Sequence, residues 1–465
     1  MKKLIYTVLI VAGLTALISS CSKESMDPSM AQDKIVEGSI TKAEDVAGLL
    51  YGAYDRMTQT SYYGRDLIIY GEIRADNAFS NGNSGRFINP GKMVMTTNDA
   101  YPTDTWTSMY EVIASCNILI GLDPSAIEGD LAEIKHYIGQ AYALRALAHF
   151  DLLKLFGQQH VTGGGDVGIP YIEKYKGENL TPARNSVSEV KSKIESDLAT
   201  SLTLMSDALN DPSHCYLSTW GAYALQSRVA LYFGEWGKVI NAAEAVINSG
   251  EYQIIPEAEF ISSWFTKSSS NSIFELAYST TDNNNINGLS QIYRGEAYGD
   301  IQALKEILDI FDPGDVRADP DFMIGPGLAP DTLFRNIGKY PSADYSDNIN
   351  LIRYEEVILN YAEALFENGS PGDALTQLNL LTAERGAQPW TEATKANILQ
   401  ERRRELCFEG FRFDDLARNK MNIPLVSPLE QTHGGPAYGS YNYAFPIPQD
   451  EMNANSNMAQ NKDYE

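Results

Sequence analysis

Residues 353–387 read RYEEVILNYAEALFENGSPGDALTQLNLLTAERGA, two helices joined by a short turn. In the first, Tyr354, Val357, Ile358, Tyr361, Ala362 and Leu365 recur at three- and four-residue steps, while Glu356, Asn360, Glu363 and Glu367 fall on the opposite face, expected to be wet. Asn368-Gly369 ends that helix, because Gly enters the left-handed conformation at little cost. Ser370-Pro371, with Asp373 three residues after the Ser, then reads as a cap, a first-turn Pro and a capping box. A second helix follows, with Ala374, Leu378 and Leu381 inward.

Neither helix can hide its apolar face alone, so such a pair calls for neighbours to stack on. Residues 220–250, WGAYALQSRVALYFGEWGKVINAAEAVINSG, supply a second copy. Aligning Gly234 with Gly369 places small Ser227 beside Ala362 and Val239 beside Ala374, positions that let the helices of a hairpin approach closely. The pattern resembles the tetratricopeptide repeat, although the spacing between copies is irregular and the full consensus is absent; two ordinary hairpins in an all-α core would read the same way.

The 465 residues carry a formal charge of -25, which repels phosphate backbones and anionic headgroups, so nucleic acid is excluded as a partner class. Residues 1–20 read as an export signal: Lys2 and Lys3 precede an apolar run from Leu4 to Ile18, shorter than the ~20 residues a spanning helix needs. Ile18-Ser19-Ser20-Cys21 resembles a bacterial lipobox, in which Cys21 is acylated and becomes the new N-terminus; secretion with cleavage nearby is the alternative. Two or more acyl chains would hold the protein on a membrane without spanning it. Glu24 and Asp27 resemble an acidic surface-export signal, and residues 21–38 read as a lipidated flexible tether. Cys116, Cys215 and Cys407 remain, an odd set with no C-x-x-C, and are expected to be buried apolar thiols.

Helical patterns recur at residues 43–57, 106–120, 134–157 and 185–205. Arg145 stands inside an apolar face and needs a partner if buried. Residues 161–171, VTGGGDVGIPY, lack the helix with Lys and Ser or Thr that a phosphate cradle requires, and read as a structural turn. Residues 272–278 alternate like a short strand. N-x-N-x-N-G from Asn283 has Arg294 where a calcium loop demands Glu, which rejects an EF-hand and leaves open a looser oxygen-ligand site. Residues 398–418, ILQERRRELCFEGFRFDDLAR, form one charged helix on periodicity, in which Arg neighbours hold carboxylates ionised and so oppose a general acid.

Taken together, Cys21, W-xx-MY-xx-I-xx-CN from Trp106, ALRA-xx-HFDLLKLFG from Ala143, GIPY from Gly168, D-x-R from Asp315, RYEE-x-ILNYAEAL from Arg353, ERRREL-x-FEG-x-R-x-DDLAR from Glu401 and PIP from Pro446 resemble the SusD/RagB family. Lys462-Asp463 departs from the family's frequent Pro-Gly. The resemblance implies a mostly α fold, an α-α superhelix of tetratricopeptide-like pairs with a loop-rich ligand face and a few short strands. Residues 39–465 would form one unit, with an N-terminal SusD-like part over about 39–250 and a C-terminal SusD/RagB part over about 270–465. It also implies a surface-exposed outer-membrane lipoprotein that binds a carbohydrate or, in the RagB-like branch, a peptide. Its partner would be a SusC-like TonB-dependent transporter, which it covers as a lid. No cofactor, metal or catalytic residue is implied.

The matched motifs are mainly scaffold, so ligand residues must be argued separately. A glycan site needs aromatic planes for the apolar ring face and amides or Arg for the hydroxyl rim. Two loop segments meet that description: residues 62–101, with Tyr63, Phe79, Asn81, Asn83, Arg86 and Phe87, and residues 282–298, with Asn284, Tyr293, Arg294 and Tyr298. Core or satellite packing is the competing role of each aromatic. A surface glycosidase is the competing enzyme, yet the sequence holds no H-E-x-x-H and no G-x-S-x-G.

Overall fold

The structure is a computed structural model that describes residues 39–464 except 178, 296 and 329–332. The signal, Cys21 and the tether lie outside the described residues. The first helices are α1 (Ala43–Met57), α2 (Asp66–Ile73), α3 (Ala100–Ile120), α4 (Leu131–Phe156) and α5 (Val187–Leu204). Two hairpins follow, α6 (Thr219–Tyr232) with α7 (Trp236–Ser249) and α8 (Tyr354–Glu367) with α9 (Pro371–Ala383), then α10 (Lys395–Leu406) and α11 (Arg412–Arg418). Neighbours in sequence pack as neighbours in space from α3 through α7, and α8 lies against α7 although a long insertion separates them. The fold is mostly α and built of tetratricopeptide-like pairs.

Short antiparallel pairs gather in and beside the insertion. They are β1 (Ala78–Ser80), β2 (Ser272–Leu276), β3 (Ile301–Ala303), β4 (Ile324–Pro326), β5 (Phe334–Asn336) and β6 (Ile349–Arg353). β1 pairs with β3, β2 with β6 and β4 with β5. Both faces of β2 are buried, so its alternation reflects packing on two sides and not a wet face.

The two hairpins superpose in chemistry as the alignment predicts. Gly234 and Gly369 adopt φ of 71° and 87°. Ser227 and Ala362 are both buried: Ala362 shares a cluster with Ala374 and Leu378 of its own hairpin, whereas Ser227 accepts from Asn360 of α8 at 3.1 Å. The capping reading needs correction. Ser186 and Ser218 cap α5 and α6 with ψ of 158° and 170°, but Ser370 has ψ of 62°, makes no side-chain cap, and leaves Pro371 to open α9.

The expected wet face of α8 is also corrected: Glu356, Asn360 and Glu363 are buried, and of the four only Glu367, at the end of the helix, is exposed. Arg228 of α6 pairs with Glu356 at 2.6 Å, Arg402 of α10 donates to Asn360 at 2.6 Å, and Arg418 of α11 pairs with Glu363 at 2.5 Å. The helix is therefore enclosed on both sides, with cations brought from other elements to neutralise its polar stripe. Burial opposes the Glu363 charge, but Arg418 and Lys395 overcome it and lower its pKa to about 2.

The charged stretch is not one helix. It breaks after Leu406, with Phe408 at φ 67° and Gly410 at φ 89°. The cause is tertiary: Gly71 of α2 meets Gly410 so closely that a Cβ on Gly71 would stand 2.0 Å from the Gly410 carbonyl oxygen. Around the break lies a buried ion lattice. Glu405 accepts from Arg385 at 2.9 Å, Arg353 at 3.0 Å and Arg317 at 3.2 Å, and Glu409 takes Lys339 at 2.6 Å and Arg353 at 2.8 Å. Burial opposes ionisation of Glu405, and the three guanidiniums reverse it, holding the carboxyl well below its ordinary range. Arg145 finds its partner in Asp197 at 2.7 Å. Cys116 and Cys407 are buried as expected, whereas Cys215 is only half-buried.

Candidate functional site

The two loop segments singled out in the sequence are brought side by side by the β1–β3 pair, with Phe79 opposite Gln302 and Ser80 opposite Ile301. The pairing continues past the strands, where the Asn81 amide N–H donates to the Asp300 carbonyl at 2.9 Å. Beyond it, the Asn81 side-chain amide donates to the Gly299 carbonyl at 3.0 Å and that of Asn83 to the Tyr298 carbonyl at 2.7 Å. Buried Asp300 organises the loop from below, accepting from the Ser84 amide at 2.8 Å and the Ser84 hydroxyl at 2.5 Å.

Arg86 is the centre of this face. Its guanidinium carbon lies 3.8 Å from the centroid of the Tyr298 ring, while Nη1 donates to Ser84 at 2.6 Å and Nη2 to the Asn287 side chain at 3.0 Å. A planar cation stacked on a phenol, with Asn81 and Asn83 beside it, offers an apolar plane and a rim of hydrogen-bonding groups within one patch. Asn83 is exposed, and Asn81, Arg86 and Tyr298 are half-buried. A ligand can reach them.

The other predicted residues fall elsewhere. Phe87, Tyr293 and Tyr63 are interior, with relative exposures of 0%, 1% and 6%, so none presents a ring face to a ligand. Phe87 stacks on Tyr101 at 5.1 Å, takes a left-handed φ of 58°, and receives Arg65 over its ring at 5.3 Å. Tyr293 stacks on Tyr340 at 6.1 Å, nearly parallel, with the Phe408 ring edge-on. Satellite packing explains these rings: they hold the loops up from beneath. Phe79 is half-buried on β1. Asn284 spends its amide on the Thr58 carbonyl at 2.8 Å and the Tyr278 hydroxyl at 3.1 Å. Arg294 is half-buried and reaches Ser290 at 3.4 Å. In the asparagine-rich loop, Asn283 accepts from the Asn285 amide at 2.8 Å, so its side chain closes a local turn.

Sequence reasoning missed Asp300, Asn287 and Arg65. Asn287 lay in a loop already chosen. Asp300 carried no local signal, because its role exists only once Ser84, 216 residues earlier, is beside it. Arg65 joins Asp66 at 2.6 Å and donates to the Asn287 carbonyl at 3.3 Å. Burial raises the Asp66 pKa to about 6 despite that guanidinium.

Comparison with known proteins supplies the family. A family described as "Starch-binding associating with outer membrane" matches residues 24–231, and the SusD family matches residues 334–464. The chain belongs to the SusD/RagB family. SusD-like protein P38 of Formosa agariphila is 24% identical over 499 residues, covering 92% of this chain and 93% of that one. The starch-binding protein SusD of Bacteroides thetaiotaomicron is 35% identical over 137 residues, 28% of this chain and 24% of its own. A SusD superfamily crystal structure from the same organism superposes with a TM-score of 0.82 at 27% identity, covering 90% of this chain and all of that one. Among the described residues no helix is long and apolar enough to cross a membrane.

Proposed function

We propose that this SusD/RagB protein is a lipid-anchored, surface-exposed lipoprotein of the outer membrane. It binds an oligo- or polysaccharide and delivers it, as a lid, to a SusC-like TonB-dependent transporter. The observation that carries the binding role is the Arg86–Tyr298 stack flanked by Asn81 and Asn83, which matches the two-sided chemistry of a sugar: a ring face to cover and hydroxyls to satisfy. The family description and the starch-binding relative support a carbohydrate as the ligand class. Lys2-Lys3, the apolar run and Cys21 support the anchor.

Binding without turnover is the reading the buried carboxylates favour. Glu405 and Glu409 are saturated with Arg and Lys, which lower their pKa values, whereas a general acid requires the opposite shift. Calorimetric titration of the mature protein against a glycan panel, with peptides as the comparison set, tests the assignment. A glycan that binds the wild type and loses affinity in Arg86→Ala and Tyr298→Ala supports it. Binding confined to peptides, or appearance of new reducing ends on incubation, overturns it.

A further inference from the structure

A second place in the molecule has the chemistry of a ligand site, and it is interior. A cleft of about 60 Å³ opens between α2, α4, α6 and the α10–α11 break, lined by Tyr63, Leu67, Arg74, Lys154, Leu231 and Phe413 among others. That volume holds a few waters or one small ion. Arg228, Arg402 and Arg418 also reach its wall, as do three acidic residues, Glu409, Asp414 and Asp415, so cations outnumber carboxylates five to three.

Four of these five cations are neutralised. Lys154 pairs with Asp414 at 2.9 Å, Arg228 with Glu356 at 2.6 Å, Arg402 with Asp415 at 2.8 Å and Arg418 with Glu363 at 2.5 Å. Arg74 differs. It is 1% exposed, forms no ion pair among the described residues, and is sandwiched by the Phe413 and Phe445 rings at 3.8 Å and 4.6 Å. One terminal nitrogen, Nη2, donates to the carbonyls of Asn442 and Tyr443 at 3.0 Å and 3.1 Å, and Nε has no hydrogen-bond partner. Burial depresses its pKa to about 10, and the nearby Tyr464 hydroxyl and Asp414 carboxylate only partly offset it. An enclosed guanidinium with an idle donor and no bonded carboxylate, at the wall of a small cleft, is a costly arrangement unless a counter-charge enters.

We propose that this cleft binds a small monovalent anion, a carboxylate or halide, held by Arg74 and enclosed by the apolar walls of α2 and α6. The anion would neutralise Arg74, whose Nη2 already ties the end of α2 to the carbonyls of Asn442 and Tyr443. The site is independent of the carbohydrate face, so neither reading depends on the other.

The test is thermal melting of the mature protein in sodium formate and in sodium bromide, each exchanged at constant ionic strength against gluconate, which is too large for the cleft. The expected result is a saturable rise of about 2 °C or more in wild type that is absent in Arg74→Met. Equal responses in the two proteins, or none in wild type, overturn the proposal. Should Arg74→Met fail to fold, crystals of wild type soaked in bromide decide the matter. An anomalous peak within about 4 Å of the Arg74 guanidinium supports the site, and waters alone in the cleft overturn it.

Discussion

Glu405 receives three guanidiniums inside the helical stack, whereas Asn83 gives its side-chain amide to a single backbone carbonyl at an exposed loop. The first region uses full charges, withdrawn from water and paired several times over. The second presents amides, hydroxyls and one stacked Arg86, all half-buried or exposed, over a single buried carboxylate, Asp300. In the lattice every group is committed to the fold, so it holds geometry and has nothing to offer a ligand. On the loop face Asn81, Asn83 and Arg86 also hold the two segments together, but they still reach solvent, so a sugar hydroxyl can add to them without breaking a buried charge pair. Rigidity and the proposed recognition thus fall to different polar chemistries.

The largest expected effect separates the two directly. Glu405→Gln leaves Arg317, Arg353 and Arg385 short of a buried counter-charge and should cost 3–5 kcal/mol of stability, read by denaturant titration. Glycan affinity of the fraction that stays folded should not change. If the variant is within about 1 kcal/mol of wild type, the lattice is not what holds the scaffold.

A pH titration sharpens the contrast, because the two regions carry opposite slopes. Burial raises Asp66 from 3.8 to about 6, so its native site favours the neutral acid. That contribution, about 3 kcal/mol, is whole below pH 3.8 and lost as pH rises through about 6. Glu363 falls from 4.5 to about 2, so its contribution is whole above pH 4.5 and lost as pH falls through about 2. Asp66→Asn should therefore flatten the stability profile between about pH 4 and 6 and leave the acid limb intact. A loss of the acid limb in Asp66→Asn would contradict the assignment.

Smaller effects come from the face itself. Arg86→Ala and Tyr298→Ala should each weaken glycan binding about tenfold, equivalent to about 1.4 kcal/mol, while moving stability by less than about 1 kcal/mol. A large loss of stability would mean that the stack is structural. Smallest of all is the pair of cap variants: Ser186→Ala should cost about 1 kcal/mol, and Ser370→Ala close to nothing, because only Ser186 bonds its helix.

What could be read from the chain divides along the same line. The hairpins were legible because apolar spacing is a local property: Ala374, Leu378 and Leu381 point inward, and α1 occupies the span its pattern indicates. The polar stripe of α8 misled, since Glu356 and Glu363 look solvent-directed unless Arg228 and Arg418 are known to lie over them. The same blindness to distant partners hid the break at Phe408 and Gly410, which Gly71 imposes from across the molecule. In the candidate site, the β1–β3 pair sets the two chosen loops side by side. Their aromatics were harder, because composition cannot distinguish a ring that props a loop, such as Phe87, from one at its surface, such as Tyr298.

The β1–β3 clamp joins segments more than 200 positions apart, as the 216-residue span from Ser84 to Asp300 shows. A chain threaded through a membrane from its leading end would expose Arg86 long before Tyr298 emerged to meet it. Sugar-gripping ability would then arise late, after the second segment has arrived, and an incomplete molecule would have only half a handhold. If the face binds sugar as proposed, capture of cargo would certify that the whole length has been delivered and wound into place.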